Sequence, residues 1–375
     1  MLTSVRFELT KEGNRMLTVI RRWYKRNFSD PQVVILAFLL LAGLLVMLLA
    51  GKLLAPLLVS AILAYLLEGA VYHLQRLRLP RLPAVIIVFV FFFALVLATL
   101  LLLMPMLSRQ VTQLVRELPN MVAQGQVLLM QLPERYPTLV SAEQVNEIVA
   151  AIRTESLHLG QQVVNLTLAS ALHLFNLLVY LVVVPLLVFF LLKDKQLILT
   201  WLTRLLPKER GLAAEVWSEV NLKIASYVRG KFIEVLIVWL VSFVTFFFLG
   251  LNYALLLSLA VGLSVIVPYV GAVAVAIPVA LVAYFQWGFG SSLTSVMIAY
   301  AVIQFLDGNV LATLLFAEVV KLHPAAIIAA VIIFGGLWGF VGVFFAIPLA
   351  TLVQAVIRSW PSQEEVEEMQ LDSAT

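Results

Sequence analysis

Apolar residues run along this chain in long, nearly uninterrupted stretches, parted by short clusters of charge. Gln32–Ala50, Leu53–Leu74, Pro83–Leu107, Leu168–Leu192, Phe232–Gly250 and Ser291–Phe316 each approach or exceed the ~20 residues that a helix needs to cross a bilayer. The punctuation is readable. Asp30-Pro31 supplies an N-cap and a first-turn proline. Gly51-Lys52 predicts a tight turn between the first two spans. Arg76, Arg78 and Arg81 close the second, and Lys193-Asp194-Lys195 stops the fourth, which Pro185 is expected to kink.

The last third differs. Tyr253–Val267 and Ala272–Trp287 are arms of 15 and 16 residues, joined at Pro268-Tyr269-Val270-Gly271. As helix each covers about 24 Å, short of the ~30 Å hydrocarbon core. They are tilted short spans or a re-entrant hairpin. Ala325–Ile357 predicts a second hairpin, broken at Gly335-Gly336-Leu-Trp-Gly339. The two breaks resemble copies. Ile266-Val-Pro-Tyr-Val-Gly271 leads to Ala-Ile-Pro278, and Gly339-Phe-Val-Gly342 leads to Ala-Ile-Pro348. Paired helix breaks bracketing a polar helix point to a transport site.

Between the spans lie amphipathic pieces. Ser108–Thr167 carries four arginines against five glutamates, with Val111, Leu114, Val115 and Leu118, then Val145, Ile148, Val149 and Ile152, at helical spacing. Pro119, Pro133 and Pro137 are expected to divide it into short helices forming an extracytoplasmic cap. Gln196–Lys231 is basic, and Val216, Val220, Ile224 and Tyr227 form a stripe beside Trp217, as in an interfacial helix. The resulting division is a basic N-terminus (1–31), three spans (32–107), the periplasmic insertion (108–167), a fourth span (168–193), a cytoplasmic linker (194–231), a transport core with two hairpins (232–358) and an acidic, disordered tail (359–375). The fold class is an all-α integral membrane protein of about eight membrane segments, including two broken or re-entrant hairpins.

Composition narrows the class further. The chain is 62% hydrophobic and 12% charged over 375 residues, with mean hydropathy +1.03, against roughly 25% charged in soluble domains. The net charge of +4 then reads as cytoplasmic loops, placing both termini in the cytoplasm, and not as nucleic-acid binding. The first apolar run starts too late for a signal peptide and is read as a retained span. Zero cysteines exclude disulfides and thiolate sites. The four histidines (73, 158, 173, 323) are scattered, so neither a metal site nor a cofactor is expected. No nucleotide-binding loop or catalytic constellation is present.

Asp307 is the sharpest candidate for chemistry. A carboxylate at mid-span costs roughly 2.5–3.5 kcal/mol to insert, so it faces a cavity or a partner. Such an acid can trade a proton for Na⁺ or another solute, with Asn309 and Gln304 adding neutral oxygens. The alternative is that Asp307 hydrogen-bonds a neighbouring broken helix and never titrates. Pro268, Tyr269, Gly271, Pro278, Gly335, Gly336, Gly339, Gly342 and Pro348 shape the breaks, where irregular backbone either lines a cavity or is packed in protein. Glu68, Glu234 and Glu318 lie near span ends and are expected to be interfacial, or paired with Arg229, Lys231 or Lys321, and not ion ligands. His323 precedes Pro324 and is expected to end a helix or act as a gate.

Several motifs together resemble the autoinducer-2 exporter (AI-2E) family, in its PerM-like permease branch. They are Pro185–Asp194 with Phe-Phe-Leu-Leu-Lys-Asp, Tyr227-Val-Arg-Gly230-Lys, Ile266–Gly271, Gln304-Phe-Leu-Asp-Gly-Asn309 and Leu322-His-Pro324. The resemblance implies about eight membrane segments, an extracytoplasmic insertion after the third, and homo-oligomers, pentamers in some members. It implies movement of a small solute or exchange of a monovalent cation for protons across a bacterial inner membrane. Family members often carry a proline shortly after the position of Asn309. Leu311-Ala-Thr313-Leu has none, so a weaker kink is expected here. The expected function is a secondary transporter or permease with its site between the hairpins around Asp307. The alternative is a non-transporting oligomeric scaffold whose cap and tail recruit partners.

Overall fold

The computed structural model describes residues 31–131, 170–205, 211–316 and 322–358, with single positions between 143 and 154. The acidic tail, the basic N-terminus, Glu318, Lys321, Pro133 and Pro137 lie outside these residues. The elements are helical throughout: α1 (Pro31–Arg76), α2 (Arg81–Ala98), a π turn (Thr99–Leu103), α3 (Met104–Met130), α4 (Ser170–Lys193), α5 (Lys195–Leu205) and α6 (Gly211–Phe248). Then follow α7 (Ala254–Ser264), α8 (Val270–Trp287), α9 (Ser291–Leu306), a second π turn (Asp307–Leu311), α10 (Ala312–Phe316) and α11 (Pro324–Arg358). Among the described residues, six helices are long and apolar enough to cross a membrane.

Three expected interruptions are absent. No turn forms at Gly51-Lys52, which lie inside the 46-residue α1. One glycine costs a helix only about 1 kcal/mol, too little to stop it between long apolar flanks. Pro119 lies inside α3, and the third span continues through the first π turn into the insertion as one rod, Arg81–Val127. The linker from Gly211 onward and the fifth span are likewise one helix, α6, of 38 residues. The stripe of Val216, Val220 and Tyr227 is buried in protein while Trp217 is exposed, so it is a packing face and not a lipid-facing one.

The chain forms two compact units. One comprises residues 1–55, 194–227 and 317–375; its described core joins Leu36, Val216, Val220 and Ala355. The other comprises 56–193 and 228–316. In it, α1, α2 and α4 pack through Val71, Ala84, Val85, Val188 and Leu192. There Arg81 forks onto Glu68 with two bonds of 3.2 Å and donates to the Leu192 carbonyl at 2.7 Å. Glu68 is therefore paired, with Arg81. The larger core of this unit gathers Val238, Phe246, Val261, Val279, Val296 and Tyr300 from α6 to α9.

The two breaks are built alike. α7 ends at Ser264, and Tyr269 takes a left-handed φ of 64° before α8. The arms measure 11 and 18 residues, less equal than expected, because Tyr253 is itself left-handed (φ 58°) and stays outside α7. A Cβ on Gly271 would fall on the Ser264 carbonyl oxygen. In α11 the backbone breaks at Gly339 (φ 59°), and a Cβ on Gly342 would fall on the Phe334 carbonyl. Gly335 and Gly336 remain helical. His323 stands at the start of α11, not at a helix end, its Nδ1 accepting from the Ala325 N–H at 3.2 Å.

Gly271→Ala and Gly342→Ala should each cost at least about 1–3 kcal/mol, because the backbone opposite must move. Gly69→Ala, with nothing within 4 Å, should stay within about 0.5 kcal/mol. Thermal unfolding in detergent checks this contrast.

Candidate functional site: a buried charge cluster

α6 carries Gly230, Lys231 and Glu234 about midway along its length. Lys231 and Glu234 are three residues apart and so share one helix face. That face is buried: Lys231 is 4% exposed and Glu234 3%. The Lys231 ammonium lies 2.5 Å from Glu234 Oε2. This approach is off the line of a hydrogen bond, and Oε2 has no hydrogen-bond partner. The ammonium donates instead to the Val265 carbonyl, at 3.0 Å. Val265 follows the last residue of α7, where carbonyls lack intrahelical partners and a cation is favoured. A third face of the ammonium lies 5.0 Å from the centre of the Phe316 ring. Gly230 makes room for that ring, since a Cβ there would meet Phe316 Cε1 at 2.7 Å.

Asp307 completes the cluster. It is 8% exposed and opens the π turn that follows α9. Its carboxyl lies within electrostatic reach of the Glu234 carboxyl and of the Lys231 charge. Asp307 Oδ1 and Gln304 Nε2 are buried with no hydrogen-bond partner. The extra residue of a π turn takes the side chains after it off the α-helical register. It accompanies the change from the buried Asp307 to the exposed Gly308 and Asn309. Asn309 donates to the Phe305 carbonyl on its own helix, at 2.9 Å.

The candidate residues thus separate. Asp307 and Gln304 both present buried, unpartnered polar atoms, with Glu234 beside Asp307, while Asn309, Arg229 and His323 are exposed. Glu234 pairs with Lys231, one of the cations expected for it, but both groups are interior and not interfacial. The available signal was their three-residue spacing next to Gly230, in a helix with nothing to break it.

A separate polar cleft of about 440 Å³ lies among Gln110, Gln113, Arg116, Glu117, Asn252 and Tyr253. Gln110 Oε1 accepts from the Leu256 N–H in the first turn of α7, at 2.9 Å. Burial, with the Glu117 carboxylate nearby, pushes the Tyr253 phenol up. None of the charge cluster lines this cleft.

Apolar helices of membrane length, with an ion cluster enclosed among them, define a multi-pass membrane protein. The chain belongs to the AI-2E transporter family, whose model matches residues 35–362. It is 46% identical over 353 residues, covering 94% of this chain and all of the relative, to a protein of Escherichia coli (strain K12) named as a permease, PerM. Two Bacillus subtilis (strain 168) proteins named as transport proteins are also similar. YueF is 25% identical, covering 78% of this chain and 80% of the relative; for YrrI the figures are 26%, 78% and 82%.

Removing one partner of a buried charge group leaves the others uncompensated. Lys231→Met should therefore cost about 3–5 kcal/mol. Adding Glu234→Gln and Asp307→Asn to it should restore most of the loss. The midpoint of thermal unfolding in detergent reads both.

Proposed function

We propose that this protein is a secondary transporter that exchanges a monovalent cation for protons, using Glu234 and Asp307 as its loading site. The observation that carries the reading is the charge count inside the cluster. Two carboxyl groups face one ammonium, so with both ionised the group carries one uncompensated negative charge at membrane depth. A proton or one small cation removes that charge, and the two compete for the same oxygens. Asp307 Oδ1, buried without a hydrogen-bond partner, is the natural ligand for either, with the Glu234 carboxylate beside it. The Gln304 side chain, one helical turn before Asp307, supplies a further neutral group.

Exchange of this kind needs no bound cofactor, because the gradient of one ion drives the other. We place the protein in the cytoplasmic membrane of a bacterium, with the basic segments at Arg76–Arg81 and around Arg204 on the cytoplasmic side, by the excess of positive charge in cytoplasmic loops.

The test is flux in proteoliposomes holding an internal pH dye, challenged with Na⁺, Li⁺ or K⁺ pulses. Wild type should move protons on cation addition. Asp307→Asn and Glu234→Gln should each reduce the rate at least about a hundredfold, as expected for loss of an ionisable group that carries the exchange, while Asn309→Ala stays near wild type. No proton movement in wild type with any of the three cations would overturn the exchange reading.

A further inference from the structure

We infer that Lys231 is a positioning residue that ties the charge state of the Glu234–Asp307 pair to the helix break between α7 and α8. This inference rests on reading that pair as the loading site. It starts from the three groups that claim one ammonium. Glu234 Oε2 lies at 2.5 Å, the Val265 carbonyl at 3.0 Å, and Asp307 is within electrostatic reach. Lys231 and Val265 are 34 residues apart in sequence, so this bond holds the end of one helix from the middle of another.

The break it holds is packed through Val265 in the core and tied just beyond by the Tyr300 hydroxyl, which donates to the Ala272 carbonyl, but its own backbone hydrogen bonds are local. Between Ser264 and Gly271 the backbone bonds are short-range: Ile266 N–H to Leu263, Val267 to Ser264, Val270 to Pro268 and Gly271 to Val267. Tyr269 adopts a left-handed φ that an L side chain resists. Pro268 has no N–H to donate. The charged donor on the Val265 carbonyl adds a long-range tie to these local bonds.

The physical consequence is competition. With both carboxylates ionised, the ammonium is drawn toward two negative charges as well as the carbonyl. With a proton or cation on the pair, one of those charges is cancelled, and the ammonium is held more firmly on Val265. The loaded site thus tightens the break, and the empty site loosens it. The other charged group on this stretch of α6, Arg229, is exposed.

Hydrogen–deuterium exchange of residues 264–271 in lipid nanodiscs, at one fixed pH, tests the coupling. Asp307→Asn imitates the loaded charge state, and it should slow exchange of this segment by about tenfold relative to wild type. The same substitution made in Lys231→Gln/Glu234→Gln should leave exchange unchanged, because the tie is gone. That double variant avoids leaving two buried carboxylates facing no cation, and its thermal unfolding is measured alongside. Equal slowing in both backgrounds, or none in either, would overturn the inference. Flux separates it from the transport reading. Coupling without proton movement removes the exchange function and leaves the tie, whereas Asp307-dependent flux without coupling removes only the tie.

Discussion

A lysine ammonium buried among apolar helices constrains the half of this protein that holds it. A single charge in a low-dielectric interior is tolerated only when paired and hydrogen-bonded. Lys231 satisfies that condition with groups from three different places: Glu234 on its own helix, Val265 at the end of α7, and the Phe316 ring beyond the π turn. Each fixes a neighbour. Gly230 must lack a side chain for Phe316 to approach, α7 must end where its carbonyl can receive the ammonium, and Asp307 must come close enough to share the charge.

This arrangement explains features that otherwise look unrelated. A short α7 of 11 residues is a poor membrane span, yet its early end places an unsatisfied carbonyl beside a cation. The π turn at Asp307–Leu311 is an irregularity of a kind often found at functional sites, and here it begins at the buried acid. Glycine at 271 allows the two arms of the break to touch through backbone. Together they form a buried polar centre. By contrast, Arg81 forks onto Glu68 and reaches the Leu192 carbonyl, which suits a fastening between helices.

The pattern of the sequence made much of this legible. Apolar runs of membrane length, the near-copied breaks before Ala-Ile-Pro278 and Ala-Ile-Pro348, and the isolated Asp307 could each be read from residue type and spacing. Helix ends were less legible. Gly51-Lys52 and Pro119 carry turn signals, yet the helices run through them, because a local penalty of one to a few kcal/mol is outweighed by apolar flanks that continue the helix. The stripe from Val216 to Tyr227 has the period of a membrane-surface helix, and the same period serves a face packed on protein.

What the sequence determined by itself was membrane residence, helical class and family, since these follow from local hydropathy and from motifs contiguous in the chain. What only the tertiary structure decided was which charges meet. Lys231, Glu234 and Asp307 span 76 positions of sequence, and Val265 lies between them. No local rule links a lysine in one helix to a carbonyl that ends another. That link arises from packing, where burial leaves an ammonium no water and it takes whichever acceptors the neighbouring helices bring within reach.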